Sequence, residues 1–268
     1  MTEILVLVLF GVLGGFISGL LGVGGGIIFV PVITAVLAHY GVSDSELAKF
    51  VLANSFAATF FAGAISTYKQ YKLKSFYPKE IAYTAAAAIP ASLLVSYLIT
   101  KGTWYNKQSF GIFFVVLLTL MLIKFISSKS IKGAVKQNIS SSKYAITGAF
   151  SGMVSALSGL GGGVIMVPAF TQYLKLDIKK AASISIGTIP FLMIPMILVY
   201  IFSSSSEVIH GSQLGYLLPI VFLPLVGGLL FAAPLGVSAS KKIHPNYLKI
   251  IFAGLIIIVI IKTIIYLV

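Results

Sequence analysis

The sequence predicts an all-α membrane protein of two four-segment repeats, each opening with a first segment broken by glycines. Three observations carry this. Of 268 residues, 58% are hydrophobic and 9% charged, and the mean hydropathy is +1.05. Eight apolar stretches follow one another along the chain. The two halves match at a single offset around two Gly-Gly-Gly runs.

The composition comes first because it excludes most function classes. A soluble domain carries about 25% charged residues, so a soluble globular enzyme is ruled out. The 19 basic residues are all lysines, against 6 acidic residues, and the formal net charge is +13. Those lysines sit between apolar runs and form no patch. They read as loop charges of a membrane protein, and no nucleic-acid partner is expected. Cysteine is absent, which excludes disulfides, thiolate metal sites and cysteine nucleophiles. No cofactor and no metal is expected.

The segments are roughly 4–38, 50–68, 81–100, 108–123, 144–174, 181–206, 214–240 and 250–268. A membrane helix needs about 20 mostly apolar residues. The first segment lacks a basic flank and a clean cleavage site, and is read as retained. The expected setting is multi-pass in the cytoplasmic (inner) membrane, with the lipid bilayer as partner. Two segments are too long. A continuous helix over 4–38 would span about 52 Å, against a hydrocarbon core of about 30 Å. Residues 144–174 share the excess, and both carry glycines at their centre. Each must tilt strongly, break, or turn back as a re-entrant hairpin.

Gly11, Gly15, Ser18, Gly22, Gly24, Gly25, Gly26, Val30 and Pro31 match Gly148, Gly152, Ser155, Gly159, Gly161, Gly162, Gly163, Val167 and Pro168, every pair 137 residues apart. After a four-residue shift, Asn54-Ser55 falls opposite Gly187-Thr188. The polar, lysine- and serine-rich stretch 127–143 is the linker between a first repeat, 1–126, and a second, 144–268. Duplication of this kind is a common transporter plan. Gly11-Gly15 and Gly148-Gly152 have the small-xxx-small spacing of packed membrane helices. Three consecutive glycines destabilise helix by about 1 kcal/mol each. Followed by Val-Pro, they read as a break and a new helix start. Pro31 and Pro168 suit the first turn of that new helix.

The doubled motif, GFISGLLGVGGGIIFVPVI at 15–33 and GMVSALSGLGGGVIMVPAF at 152–170, resembles the TauE/SafE family of sulfite and organosulfonate exporters. The polar-small stretches ANSFAAT at 53–59 and SISIGT at 183–188 agree with it, the first departing further from the family's small-Gly-Thr-Ser pattern. The resemblance implies transport of a sulfur-containing anion or another small organic anion.

If all eight segments cross, the lysines divide evenly between the two faces, contrary to the positive-inside rule. If the second broken segment returns to its own side, loops 67–80, 124–143, 175–180 and 240–249 gather fifteen lysines, leaving Lys49, Lys101 and Lys107 opposite. Symmetry argues that the first segment behaves likewise. Three spans and a hairpin per half make the repeats inverted. Eight plain spans with parallel repeats is the rival.

An anion near the bilayer centre needs compensation, and no lysine lies deep inside a segment. Lys262 comes nearest and reads as snorkelling. Helix N-termini supply partial positive charge and free N–H groups. The expected substrate site is therefore the backbone of Gly24, Gly25 and Gly26 facing that of Gly161, Gly162 and Gly163. Side-chain donors are Asn54 and Ser55 in the second segment and Ser185 and Thr188 in the sixth, with Ser18 and Ser155 preceding the glycines. Back-bonding to the own helix is the alternative for each hydroxyl, and interhelical tying is the alternative for Asn54.

His39, His210 and His244 sit at segment ends with no metal spacing. Asp44, Glu46, Asp177 and Glu207 fall in loops, so no carboxylate relay is expected within a span. Proton coupling would need the substrate's own protonation or a loop-edge residue. Uncoupled export is thermodynamically open, since a negative interior drives an anion out by about 2.3 kcal/mol per 100 mV. Pro90, Pro190, Pro195, Pro219, Pro224 and Pro234 are expected inside spans as kinks. Trp104 and Tyr105 read as an interfacial anchor. The leading function is a permease working by alternating access on a small anion, not an enzyme. A serine protease reading of GFISG fails for want of a base within a span. An anion channel and a homodimer both remain open at this level.

Overall fold

The computed structural model describes residues 2–127, 139–209 and 211–267. Ten helices are described: α1 (Thr2–Leu21), α2 (Gly26–His39), α3 (Leu47–Lys72), α4 (Pro78–Lys101), α5 (Lys107–Ser127), α6 (Ser141–Ser158), α7 (Gly163–Gln172), α8 (Ile178–Ile201), α9 (Pro219–Lys242) and α10 (Pro245–Leu267). Five of them, α1, α3, α4, α8 and α9, are long and apolar enough to cross a bilayer. Large apolar side chains such as Leu94, Phe150, Phe231 and Leu235 are exposed on the outside of the bundle. That pattern suits lipid and not water. Most of the 127–143 linker, and His210, lie outside the described residues.

Both overlong segments break at their glycines. Residues 22–25 separate α1 from α2, and residues 159–162 separate α6 from α7. The new helices begin earlier than expected. Pro31 and Pro168 are each the sixth residue of their helix and lie inside it. The glycines, not the prolines, set the start, because Gly25 (φ 78°) and Gly162 (φ 74°) occupy the left-handed N-cap conformation. Pro219 is a second correction, since it opens α9 in the first turn, where Pro78 also opens α4. Pro90, Pro190, Pro195, Pro224 and Pro234 do lie inside helices.

α1 packs along α9, α6 along α4, and α3 against α8. Small residues let the backbones meet. A Cβ on Gly11 would stand 2.3 Å from the carbonyl oxygen of Leu225, and one on Gly148 2.2 Å from that of Thr84. The same holds one turn further on, for Gly15 at Leu229 and Gly152 at Ala88. In lipid this close fit replaces the hydrophobic effect as the cohesive term. α3 is the central helix, with residues 47–59 all buried.

Contacts between loops sort the helix ends into two groups. Lys180 pairs with Glu80 at 3.0 Å, Lys241 donates to the Leu73 carbonyl and Ser75 hydroxyl, and Lys179 donates to the Lys241 carbonyl. The other group contains Lys107 with Asp44 at 3.3 Å, the Ser43 amide on Glu207, and the Tyr216 hydroxyl on Glu46. His39 near the end of α2 pairs with Glu3 at the start of α1, 3.2 Å apart. Lys143 in α6 lies 6.0 Å from the ring centre of Tyr173, just past α7. The Trp104–Tyr105 pair divides: Trp104 is exposed, while Tyr105 is buried and donates to the Leu157 carbonyl.

Candidate functional site

The two breaks lie against each other. A Cβ on Gly26 would stand 2.6 Å from the Gly159 carbonyl oxygen, and one on Gly163 would stand 2.6 Å from the Val23 α-carbon. Only glycine permits that approach. The adjacent glycines turn the other way: Gly24 and Gly161 both face the side chain of Thr59. So Gly24, Gly25, Gly26, Gly161, Gly162 and Gly163 are gathered at one place, with the N-termini of α2 and α7.

Each helix start leaves amides unbonded. Among the described residues, no acceptor meets the N–H groups of Gly24, Gly25 and Gly26, nor those of Gly161, Gly162 and Gly163. Around them, the hydroxyls of Ser18, Ser155 and Thr59 are buried with no hydrogen-bond partner. Ser18 and Ser155 sit in the last turns of α1 and α6, where their carbonyls accept from Gly22 and Gly159. The neighbourhood is therefore rich in donors and carries no formal charge, which suits an anion.

The remaining residues divide. Ser55 donates to the Gly159 carbonyl and Ser185 to the Gly22 carbonyl, each at 2.8 Å. Each therefore ties the middle of a central helix to the break in the opposite half. These bonds pair Ser55 with Ser185, a register different from the one that sets Asn54-Ser55 opposite Gly187-Thr188. Thr188 back-bonds to Ile184 within α8. Gly187 faces Ile81 of α4, away from the breaks. Asn54 is fully engaged. Its amide donates to the carbonyls of Phe50 (2.8 Å) and Tyr216 (3.2 Å), and its oxygen accepts from the Leu218 amide (2.9 Å). It fastens α3 to the chain leading into α9.

Two residues escaped the sequence reading. Glu46 and Lys49, counted there as loop charges, are both buried. They pair at 3.0 Å at the start of α3, with Glu46 as its N-cap residue, and the Tyr216 hydroxyl donates to the other Glu46 oxygen at 2.7 Å. Lys49 also lies 5.6 Å from the Tyr216 ring centre. The Tyr216 hydroxyl is held protonated well above the usual tyrosine range, first by burial, then by its bond to Glu46. The i, i+3 spacing of Glu46 and Lys49 was the available signal. Their burial depends on the 202–218 connection folding over them, which sequence does not announce.

Apolar helices able to cross a bilayer, exposed apolar side chains around them and donor-lined helix breaks within define a multi-pass membrane transporter. The sequence model of the family described as "Sulfite exporter TauE/SafE" matches residues 7–263, and the chain belongs to that family. It is 28% identical to a probable membrane transporter protein of Haemophilus influenzae, over 96% of this chain and 97% of that one. It is 24% identical to a probable membrane transporter protein of Methanocaldococcus jannaschii, over 93% and 91% of the two chains. A third relative is the probable membrane transporter protein YunE of Bacillus subtilis, 23% identical over 95% and 94%.

Proposed function

We propose that this protein is a permease, not an enzyme, that moves a small oxyanion across the membrane by alternating access. The observation that carries the reading is the meeting of two helix starts with unbonded amides, with Thr59 packed against Gly24 and Gly161 and the buried hydroxyls of Ser18, Ser155 and Thr59 all without a partner. Such donors stabilise negative charge without a counter-ion. The family description supports a sulfur oxyanion or organosulfonate as the substrate class. The breaks are packed tightly on each other, with Thr59 and Ile189 against Gly24 and Gly161. Binding an anion there requires them to part, which favours a carrier over an open channel.

In the same reading, α1–α2 and α6–α7 are re-entrant hairpins, and residues 1–126 and 144–268 are inverted repeats joined by 127–143. The Glu3–His39 pair and the Lys143–Tyr173 contact support hairpins, since each joins the two ends of one broken segment. Equivalent packing of α1 on α9 and α6 on α4 supports the two-fold relation. The lysines of 179 and 241 then share the cytoplasmic face.

A thermal-shift panel on detergent-purified protein tests the substrate class, with sulfite, thiosulfate, sulfate and methanesulfonate against short carboxylates. A selective shift from a sulfur oxyanion or sulfonate is expected. A shift from carboxylates alone would keep a permease and remove the sulfur class. Cysteine labelling at positions 101, 179 and 241 tests the hairpins: 179 and 241 should react from one face and 101 from the other.

A further inference from the structure

The Glu46–Lys49 pair has no role in the site at the breaks. Among the described residues it is the one ion pair with both side chains about nine-tenths buried; the pairs at Glu3, Asp44 and Glu80 are all more exposed. It stands at the start of the central helix α3. Thr59, at the breaks, lies ten residues further along the same helix, about 15 Å at 1.5 Å per residue. Between them the space is filled by aromatic rings in mutual edge contact: Phe50 with Tyr216 (5.1 Å), Tyr216 with Tyr200 (6.1 Å) and Tyr200 with Phe56 (5.7 Å). The Tyr200 hydroxyl is completely buried in this stack and has no partner. A buried, unpaired hydroxyl is costly unless something uses it.

We propose that Lys49 is an access site for the anion on this face, occupied at rest by Glu46, and that the anion takes the ammonium only as Glu46 takes a proton. This rests on the reading of the protein as an anion permease. The charge balance requires the linkage. The resting pair is neutral. An anion placed on Lys49 beside an ionised Glu46 would leave one negative charge uncompensated in a buried place. A proton taken from hydronium in the bulk solution forms one O–H bond on a Glu46 oxygen and leaves water behind, the Glu46–Lys49 contact is given up to the anion, and neutrality is restored. The anion then lies beside Tyr216, whose ring meets Tyr200 and, through it, Phe56 on the way to the breaks.

Glu46 is faced by Lys49 from its own helix and by Tyr216 from the 202–218 connection. Further charges nearby are Glu207, which accepts from the Ser43 amide, and Asp44, which pairs with Lys107. Among the described residues, Lys49 is the cation in direct contact with Glu46. The pair is also latched: Tyr216 is held over α3 by Asn54 as well as by Glu46. Release of Glu46 removes one of these ties and leaves the bonds of Asn54 to Tyr216 and Leu218 and of Ser43 to Glu207 in place.

The test uses full-length protein in detergent, with methanesulfonate as the probe, because it carries one negative charge throughout the range from about pH 5 to pH 8. In weakly buffered solution with a pH dye, saturating methanesulfonate should draw up about one proton per protein molecule. Affinity in the pH-sensitive range should fall by up to about tenfold per unit of rising pH. Glu46→Gln should bind the probe with no proton uptake and no pH dependence, while Lys49→Gln should lose the pH-dependent component. Binding by wild-type protein without proton uptake would overturn the access site and leave the permease reading standing. No binding of any oxyanion by folded wild-type protein would overturn both. The wild-type proton count decides the matter even if a variant fails to fold.

Discussion

The hydroxyl of Ser55 donates to the carbonyl oxygen of Gly159 at 2.8 Å, across 104 residues of chain. The acceptor is one of the last carbonyls of α6, stranded where the helix stops. Ser185 does the same for Gly22. Removing either donor leaves a buried carbonyl unsatisfied, at a cost of about 1–3 kcal/mol. Ser55→Ala and Ser185→Ala should therefore each lower the melting temperature in detergent, by similar amounts. Melting of both variants at the wild-type temperature would mean the two bonds do not hold the breaks in place.

Gly26 and Gly163 are the contact points of the two breaks, and each meets backbone that cannot rotate away. Alanine at either position should cost about 1–3 kcal/mol by overpacking. Gly227, in α9, has no atom within 4 Å of the position its Cβ would take. Gly227→Ala should be neutral, or stabilising by up to about 1 kcal/mol as helix propensity improves. Folded yield and melting of the three variants compare them directly. Equal behaviour of Gly26→Ala and Gly227→Ala would remove the argument for close approach.

Much of this was legible in the chain because glycine placement is a backbone statement. The 137-residue offset and the triple glycines located both breaks within a residue or two. The prolines misled: Pro31 and Pro168 were read as helix starts, but the positive φ of Gly25 and Gly162 had already begun the helix. Periodicity could not say which way a side chain points inside an all-apolar bundle. Asn54, Ser55, Ser185 and Thr188 looked alike as polar residues in spans, yet two tie the breaks, one staples α3 to Tyr216, and one bonds its own helix. Glu46 and Lys49 were hidden for a different reason. Their burial comes from a connection whose Tyr216 lies 170 residues from Glu46 in sequence.

Thr59 offers the cleanest separation of structure from binding. Its methyl lies against Gly24 and Gly161, and its hydroxyl has no partner. Valine keeps the shape and deletes the donor. Thr59→Val should melt as the wild type does without substrate, and should bind the anion about tenfold more weakly, the worth of one hydrogen bond to a charged group. Unchanged anion affinity in a folded Thr59→Val protein would move the site away from the breaks.

The energetics of the Glu46–Lys49 pair can be read without any ligand. Deleting one partner of a buried ion pair leaves a lone buried charge and costs about 3–5 kcal/mol, whereas replacing both is often close to neutral. Lys49→Met should be severely destabilised, because it leaves Glu46 buried without its cation, with the Tyr216 hydroxyl still donating to it. Glu46→Gln should be destabilised as well, though less, since Lys49 stays near the Tyr216 ring. The double variant Glu46→Gln/Lys49→Met should recover much of the loss. Melting temperatures of the four proteins close the cycle. Additive losses would show that the two charges do not depend on each other, and Lys49 would then have no exchangeable partner for an anion to replace.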